Sequence, residues 1–256
     1  FNQVVHAWKL TNGAWQTEIV ASEAGHYKDI ALDANGGIHI AYVLGGNIRY
    51  ASNTTGFNPS PTPWNIETVA HYVPFAYAGQ VALVVSYAGN VHIVYQWTVG
   101  LSVEAGGISG GFYYVWKPAA GSFQSYLPYG QQAIDVGTYR GYHPELSFKS
   151  PCIMSAINPV PGDCLMVTYY DMDNQQLKYA QKGHTGNWTV EVVDSPGNYA
   201  GSMTQGIGPF LPSVHIAYYD FATQQLKHAW KHNWNGSWTT EILDSVVISG
   251  LIPKVA

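Results

Sequence analysis

Short runs of β-branched and aromatic residues, bounded by Gly, Asn, Asp or Pro, follow one another along the whole chain. Within them polar and apolar positions alternate, or the run is apolar throughout, as strands with one or both faces buried require. No stretch sustains the 3.6-residue period of an amphipathic helix. The runs come in sets. Val214-His215-Ile216-Ala217-Tyr218-Tyr219-Asp220, then Leu226-Lys227-His228-Ala229-Trp230, then Gly236-Ser237-Trp238-Thr239-Thr240-Glu241 repeats an earlier set. That set reads Leu165-Met166-Val167-Thr168-Tyr169-Tyr170-Asp171, Leu177-Lys178-Tyr179-Ala180 and Gly186-Asn187-Trp188-Thr189-Val190-Glu191. Weaker copies begin at Ile38-His39 and Val91-His92.

The Trp-x-x-Glu strand is the ruler. It occurs at Trp15, Trp64, Trp188 and Trp238, and a degenerate copy, Phe123 to Tyr126, fills the gap, giving spacings of 49, 59, 65 and 50 residues. Four short strands in about 40–50 residues is the period of a β-propeller blade. With strands lettered A to D from the axis outward, A occurs at Asp29–Leu32, Gln80–Val85, Glu145–Phe148, Met203–Ile207 and Leu251–Val255. C occurs at Val4–Lys9, Asn47–Ala51, Phe112–Trp116, Leu177–Gln181 and Leu226–Trp230, while B occurs only at 38–43, 91–96, 165–170 and 214–219. The pattern predicts an all-β, single-domain five-bladed propeller with blades near 26–70, 79–128, 143–194 and 201–245. The closing blade joins 250–256 to 1–21 and is one strand short. Three readings of that vacancy stand: residues beyond one end of the chain, direct pairing of A with C, or a strand donated by a neighbouring molecule.

Composition narrows the setting. Only 11% of the 256 residues are charged, with 19 Tyr, 9 Trp and a net charge of −5. No Lys/Arg run provides a footprint for nucleic acid, and no apolar stretch is long enough to insert in a membrane. The chain opens directly into a strand without an initiator Met, as a mature or truncated form would. Cys152 and Cys164 flank a Pro/Gly-rich segment, and a disulfide between them suits an oxidising, secreted or cell-surface location. The sequons at Asn53, Asn187 and Asn235 coincide with turn positions where Asn is expected anyway.

The repeats resemble a family of bacterial and archaeal extracellular propellers whose motif approximates HIxYYD…LKYA…GxWxxExVDS. The resemblance implies a secreted or surface module and carries no activity or catalytic residues. Signatures of kelch, WD40 and sialidase Asp-box repeats are not visible.

Recurrent polar residues read as structure. His39, His92 and His215 occupy one position in three blades, and the fourth copy is Met166, which suits a hydrogen bond to an adjacent blade better than a shared metal site. No metal or other cofactor is expected. The Trp-x-x-Glu pairs lie on the outermost strand, with Trp covering the neighbouring blade, and Asp171 and Asp220 open turns. Residues that break the repeat are better site candidates. On the face shared by the D–A and B–C loops stand Tyr27, Tyr72, Tyr77, Trp97, Tyr139, Arg140, Tyr142, His143 and Tyr199. Their rings and polar edges suit a glycan or other small polar ligand, although the Gly-x-Tyr pattern also suits a packed corner. The acids near strand A, Asp29, Asp33, Asp135 and Glu145, are scattered. A non-catalytic, lectin-like module is therefore the first expectation. A subunit of a surface or filamentous assembly completed by a donated strand is the second, and a glycoside hydrolase the third.

Overall fold

In the computed structural model, the described residues are 3–9, 11, 13–23, 25–54, 63–70, 76–99, 110–123, 132–137, 142–149, 152, 162–184, 186–195, 204–207, 213–232 and 235–245. Among them there are strands and turns but no helix, and so none long and apolar enough to cross a membrane. An N-terminal hairpin pairs β1 (Val4–Lys9) with β2 (Trp15–Ala21). Four four-stranded antiparallel meanders follow. Sheet I holds β3 (His26–Leu32), β4 (Ile38–Leu44), β5 (Asn47–Asn53) and β6 (Asn65–Ala70). Sheet II holds β7 (Ala76–Val85), β8 (Val91–Val99), β9 (Gly110–Lys117) and β10 (Gln132–Val136). Sheet III holds β11 (Tyr142–Lys149), β12 (Cys164–Asp171), β13 (Gln176–Lys182) and β14 (Thr189–Asp194). Sheet IV holds β15 (Thr204–Ile207), β16 (Ser213–Asp220), β17 (Gln225–His232) and β18 (Thr239–Asp244).

The core is divided into four layers, each sandwiched between consecutive sheets. Val4 and Val20 of the hairpin pack on Ile38, Ile40 and Tyr42. Tyr50 and Val43 meet Val81, Ile93 and Tyr95; Phe112 and Tyr114 meet Leu146, Val167 and Tyr169; Tyr179 and Met166 meet Ile216 and Tyr218. The second strands β4, β8, β12 and β16 are buried on both faces, which is why their sequences lose alternation and become apolar runs.

A recurring clamp ties the layers. An aromatic ring just before the fourth strand stands edge-on to a ring on the third strand of the preceding sheet, or on β1 of the hairpin. The pairs are Trp64 on His6 (5.7 Å), Phe123 on Tyr50 (5.3 Å), Trp188 on Tyr114 (5.3 Å) and Trp238 on Tyr179 (5.3 Å). At two of these seams a lysine ending the third strand reaches back between the rings. Lys231 lies 4.5 Å from the Tyr179 ring centre and 4.9 Å from that of Trp238, and donates to both oxygens of Glu191 at 2.8 Å. Lys117 lies over Tyr50 and Phe123 and donates to Glu67 at 2.5 Å. Trp238 Nε1 also donates to Glu191, at 2.9 Å. Glu67 and Glu191, two of the Trp-x-x-Glu acids, are thus acceptors in clamps between sheets, whereas Glu18 and Glu241 pair with His6 and His228 within their own sheets.

A second contact joins sheet II to III and III to IV. Tyr169 and Lys178 donate to Asp135 at 2.9 and 2.8 Å. Tyr218 donates to Asp194 at 2.5 Å and Lys227 does so at 3.4 Å. Each lysine also pairs with the aspartate that opens its own turn, Asp171 at 2.6 Å and Asp220 at 2.7 Å. Burial alone would raise those aspartates, yet the lysine and the turn donors hold both below the usual carboxylate range.

Three expectations need correction. The degenerate Phe123–Tyr126 copy is not the fourth strand of its sheet; that strand is Gln132–Val136, because the aromatic and the strand are separated by an insertion. The recurrent histidines hydrogen-bond within their own sheet, across the second and third strands, where diagonal neighbours meet, while His92 Nε2 also stands 3.5 Å from Asp163 Oδ2 at the start of the adjacent sheet. His39 Nδ1 pairs with Tyr50 OH at 2.5 Å, His92 Nδ1 with Tyr114 OH at 2.8 Å and His215 Nδ1 with His228 Nε2 at 3.0 Å. Third, the described residues do not close into a ring. The two ends of the series, β18 with Ile242 and Leu243 and the hairpin with Val5, Trp15 and Ile19, are exposed. Residues 251–255, expected to supply an inner strand, lie outside the described residues.

Candidate functional site

The first strands β3, β7 and β11 lie side by side in sequence order, and β15 follows. Each of the first three begins with a bulge of one extra residue against its partner. Tyr27 is inserted between the His26–Val43 and Lys28–Tyr42 pairs. Gly79 and Gln80 together oppose Gln96, and His143 and Pro144 together oppose Tyr169. Bulges re-aim side chains and gather beside functional sites. Here they place Tyr27, Gln80 and His143 at equivalent positions around one open cavity of about 300 Å³, also lined by Lys28, Val81, Pro144 and Glu145.

Two of the three bulge residues are held in left-handed backbone, Tyr27 at φ 43° and His143 at φ 50°. For residues with a side chain this is uncommon and costs free energy, and it persists where the surroundings enforce it. The enforcement is visible. The His143 amide donates to Gln80 Oε1, and Leu83 N donates to Asp29 Oδ2 at 2.7 Å, fastening β7 to β3. Beside Gln80, a Cβ on Gly79 would stand 2.2 Å from Gln96 Oε1, so any larger residue there would have to displace the buried Gln96 amide. Burial lowers the His143 imidazole from its ordinary value, leaving it neutral at neutral pH, with one donor and one acceptor nitrogen. Tyr27 is 54% exposed, so its ring is open to a ligand.

No family model matches the sequence, and no curated protein matches it. Similar solved structures include a fucose-specific lectin from Aleuria aurantia, with a TM-score of 0.47 and 13% identity over 95% of this chain and 71% of that one. Others are a mutant of AofleA from Arthrobotrys oligospora (0.33, 13%, 89% and 73%) and an inulosucrase from Halalkalicoccus jeotgali bound to kestose (0.39, 13%, 98% and 72%). At these scores the likeness carries no argument about a ligand.

Of the residues expected at the site, Tyr27 and His143 line the cavity. Tyr77 and Tyr142 lie in β7 and β11, their side chains outside the described residues, as are Tyr72, Tyr139, Arg140 and Tyr199 entirely. Trp97 requires correction. β8 runs on to Val99, so Trp97 shares the inward face of Ile93 and Tyr95 instead of opening a loop. It is 6% exposed and packs against Tyr95 and Tyr113 in the core. Cys152 and Cys164 form a disulfide. Asn53 of the first sequon is buried, while Asn187 and Asn235 are exposed. Sequence reasoning missed Gln80, because nothing in Ala-Gly-Gln announces a bulge except its glycine.

The acids near the first strands have structural occupations. Asp29 accepts from Leu83 N and Ile30 N. Asp33 accepts from Asn35 N and Gly37 N, both at 2.8 Å, and from His39 at 3.2 Å. Asp135 accepts from Tyr169 and Lys178, and Glu145 is the acid among the described residues lining the cavity.

Proposed function

We propose that this protein is a non-catalytic, lectin-like binding module, secreted or surface-borne, built as a five-bladed propeller of the extracellular repeat type that its motifs resemble. The observation that carries the functional reading is the set of three bulges with Tyr27, Gln80 and His143 around one cavity, two of them at positive φ. A strained aromatic, a neutral imidazole and an amide present a ring face with donors and acceptors, the equipment for a sugar or another small polar ligand. Glycoside hydrolysis generally requires two carboxyl groups flanking the bond, and the described lining of the cavity offers one acid, Glu145, which favours binding over catalysis. The disulfide supports an oxidising compartment.

Closure of the ring has its own support. At the clamped seams a lysine and a Trp or Phe on one sheet meet a ring and an acid on the sheet before. The hairpin carries Lys9 and Trp15 in the corresponding places, both exposed, and sheet IV ends with His228 hydrogen-bonded to Glu241 at 2.9 Å. These are the two halves of one clamp. Joined within the chain, with 251–255 as the inner strand, they complete a fifth blade of 250–256 plus 1–21. Joined between copies they make an assembly, the second reading, in which a donated strand fills the vacancy.

A glycan array tests the first reading. Wild type is expected to bind a restricted set of glycans, and Tyr27→Ala and His143→Ala to lose at least part of that set while Tm stays within a few degrees. Absence of any bound glycan, or indifference to both substitutions, sinks the proposal. Sedimentation separates the closure readings, since a concentration-independent monomer excludes the assembly.

A further inference from the structure

The seam between sheets II and III lacks the lysine clamp found on either side of it. Across from Tyr50 and Tyr179 the fourth strands place Glu67 and Glu191, but across from Tyr114 stands Gln132. Lys182, which ends its strand where Lys117 and Lys231 end theirs, donates instead to the Gly186 carbonyl. Trp188 still covers Tyr114, so the seam keeps its aromatic contact without the ion pair. Beside Lys182 lies a cavity of about 80 Å³, lined by Asn90, His92, Trp116, Asp163, Lys182 and His184 among others.

Its polar groups are particular to this seam. Three residues before His39 and His92 stand Gly36 and Gly89, whereas the residue three before Met166 is Asp163. Asp163 and His92 are 6% and 5% exposed. Asn90 Nδ2 donates to Asp163 Oδ2 at 3.3 Å. His92 Nε2 stands 3.5 Å from the same oxygen and hydrogen-bonds to no described residue. At the lip, a Cβ on Gly162 (φ 109°) would lie 2.1 Å from His184 Nδ1, so this glycine admits the imidazole. A buried imidazole nitrogen facing a cavity without a hydrogen bond is costly unless something enters to satisfy it.

We propose that this cavity is a second binding site, which takes the hydroxylated edge of a neutral sugar. The charges decide the class. An anion would meet Asp163, a metal cation would meet Lys182, and no three metal-ligating side chains gather among the described residues. Neighbouring hydroxyls, each both donor and acceptor, match a carboxylate, an amide, an imidazole and an ammonium, with the Trp116 ring as an apolar wall. About 10–15 Å³ of such volume holds one water, so the space admits a few hydroxyls and leaves the rest of the ring outside. The site sits where β8 and β12 begin and β13 ends, at the opposite end of the strands from Tyr27 and His143. It shares with the lectin-like reading only the chemical class of the ligand.

Saturation-transfer NMR with the methyl glycosides of glucose, galactose, mannose and fucose tests it. One or more is expected to give a signal that survives His143→Ala. That signal should fall about tenfold in apparent affinity with Asp163→Asn. It should also vanish with Gln132→Glu, which restores the acid that draws Lys182 back across the cavity without removing any lining residue. No signal from any glycoside, or a signal indifferent to Asp163→Asn and Gln132→Glu, overturns the proposal. Loss on His143→Ala with retention in Asp163→Asn also overturns it while leaving the cavity of Tyr27 and His143 standing. Sensitivity to Asp163→Asn alone upholds it and removes support from the cavity of Tyr27 and His143.

Discussion

The seam between sheets III and IV and the seam between sheets II and III are built on one plan and finished differently. In the first, Lys231 is fully buried between Tyr179 and Trp238, and Glu191 uses both oxygens on it and one on the indole as well. In the second, a glutamine replaces the acid, the lysine turns outward, and a buried carboxylate and an unbonded imidazole nitrogen line the space. Repetition therefore marks where polar groups serve packing, and departure from it marks where they face a cavity.

The largest expected effect falls on what both seams share. Trp238→Ala and Trp188→Ala should each lower stability by about 3 kcal/mol, near the low end for a large aromatic because both rings are only part-buried. A much smaller loss at Trp188, read by urea denaturation, would mean that the unclamped seam is not held by its aromatic contact. The lysines should separate the two. Lys231→Met is expected to cost about 2 kcal/mol, less than the ~3–5 of a fully buried broken pair because Glu191 remains 30% exposed. Lys182→Met should stay within about 0.5 kcal/mol. Equal costs for the two would erase the distinction between the seams.

Acid should weaken both seams together. Asp171 and Asp220 have folded-state values below the unfolded 3.8, so their contribution is complete above that pH and is lost as pH falls further. A gentler decline should begin higher. Burial holds His39 and His215 below 6.5, the unfolded state then binds more protons, and stability falls as pH drops through about 6.5 and below. Melting curves between pH 3 and 8 check both steps, and two separated unfolding transitions near pH 3 would show that the seams are not equivalent in their Lys–Asp contacts.

The sheets were legible because each repeats a fixed order of patterns. Val4–Lys9 coincides with β1, and the buried second strands appear as apolar runs. Legibility failed where an element outran its motif. Trp97 reads as the start of a loop because Gly-rich sequence follows it, yet β8 continues and folds it inward. Phe123 keeps the clamp aromatic while its strand lies further on, so the spacing ruler placed the strand at the ring. The histidines pointed to the right layer, but their hydrogen bonds run within the sheet and only the His92–Asp163 pair, among those described, reaches the next one, since sequence position does not reveal which diagonal a side chain takes. Tyr27 and His143 were visible as ring residues on the face of the D–A loops, but their backbone was not, because positive φ in tyrosine and histidine has no local sequence signal. The clamp itself was readable in principle: a lysine recurs five residues after Leu177, Leu226 and Phe112, and after Val4 as well.

That last lysine makes the chain its own reagent gauge. An ammonium sealed beneath two rings is withheld from amine-acylating reagents, so Lys231 should remain unmodified in the native protein while any exposed ε-amine reacts within minutes. Lys9 stands in the open in this structure. Its acylation half-life in solution, compared with that of Lys231 on the same peptide map, therefore reads out how much of the time the two ends of the series hold one another.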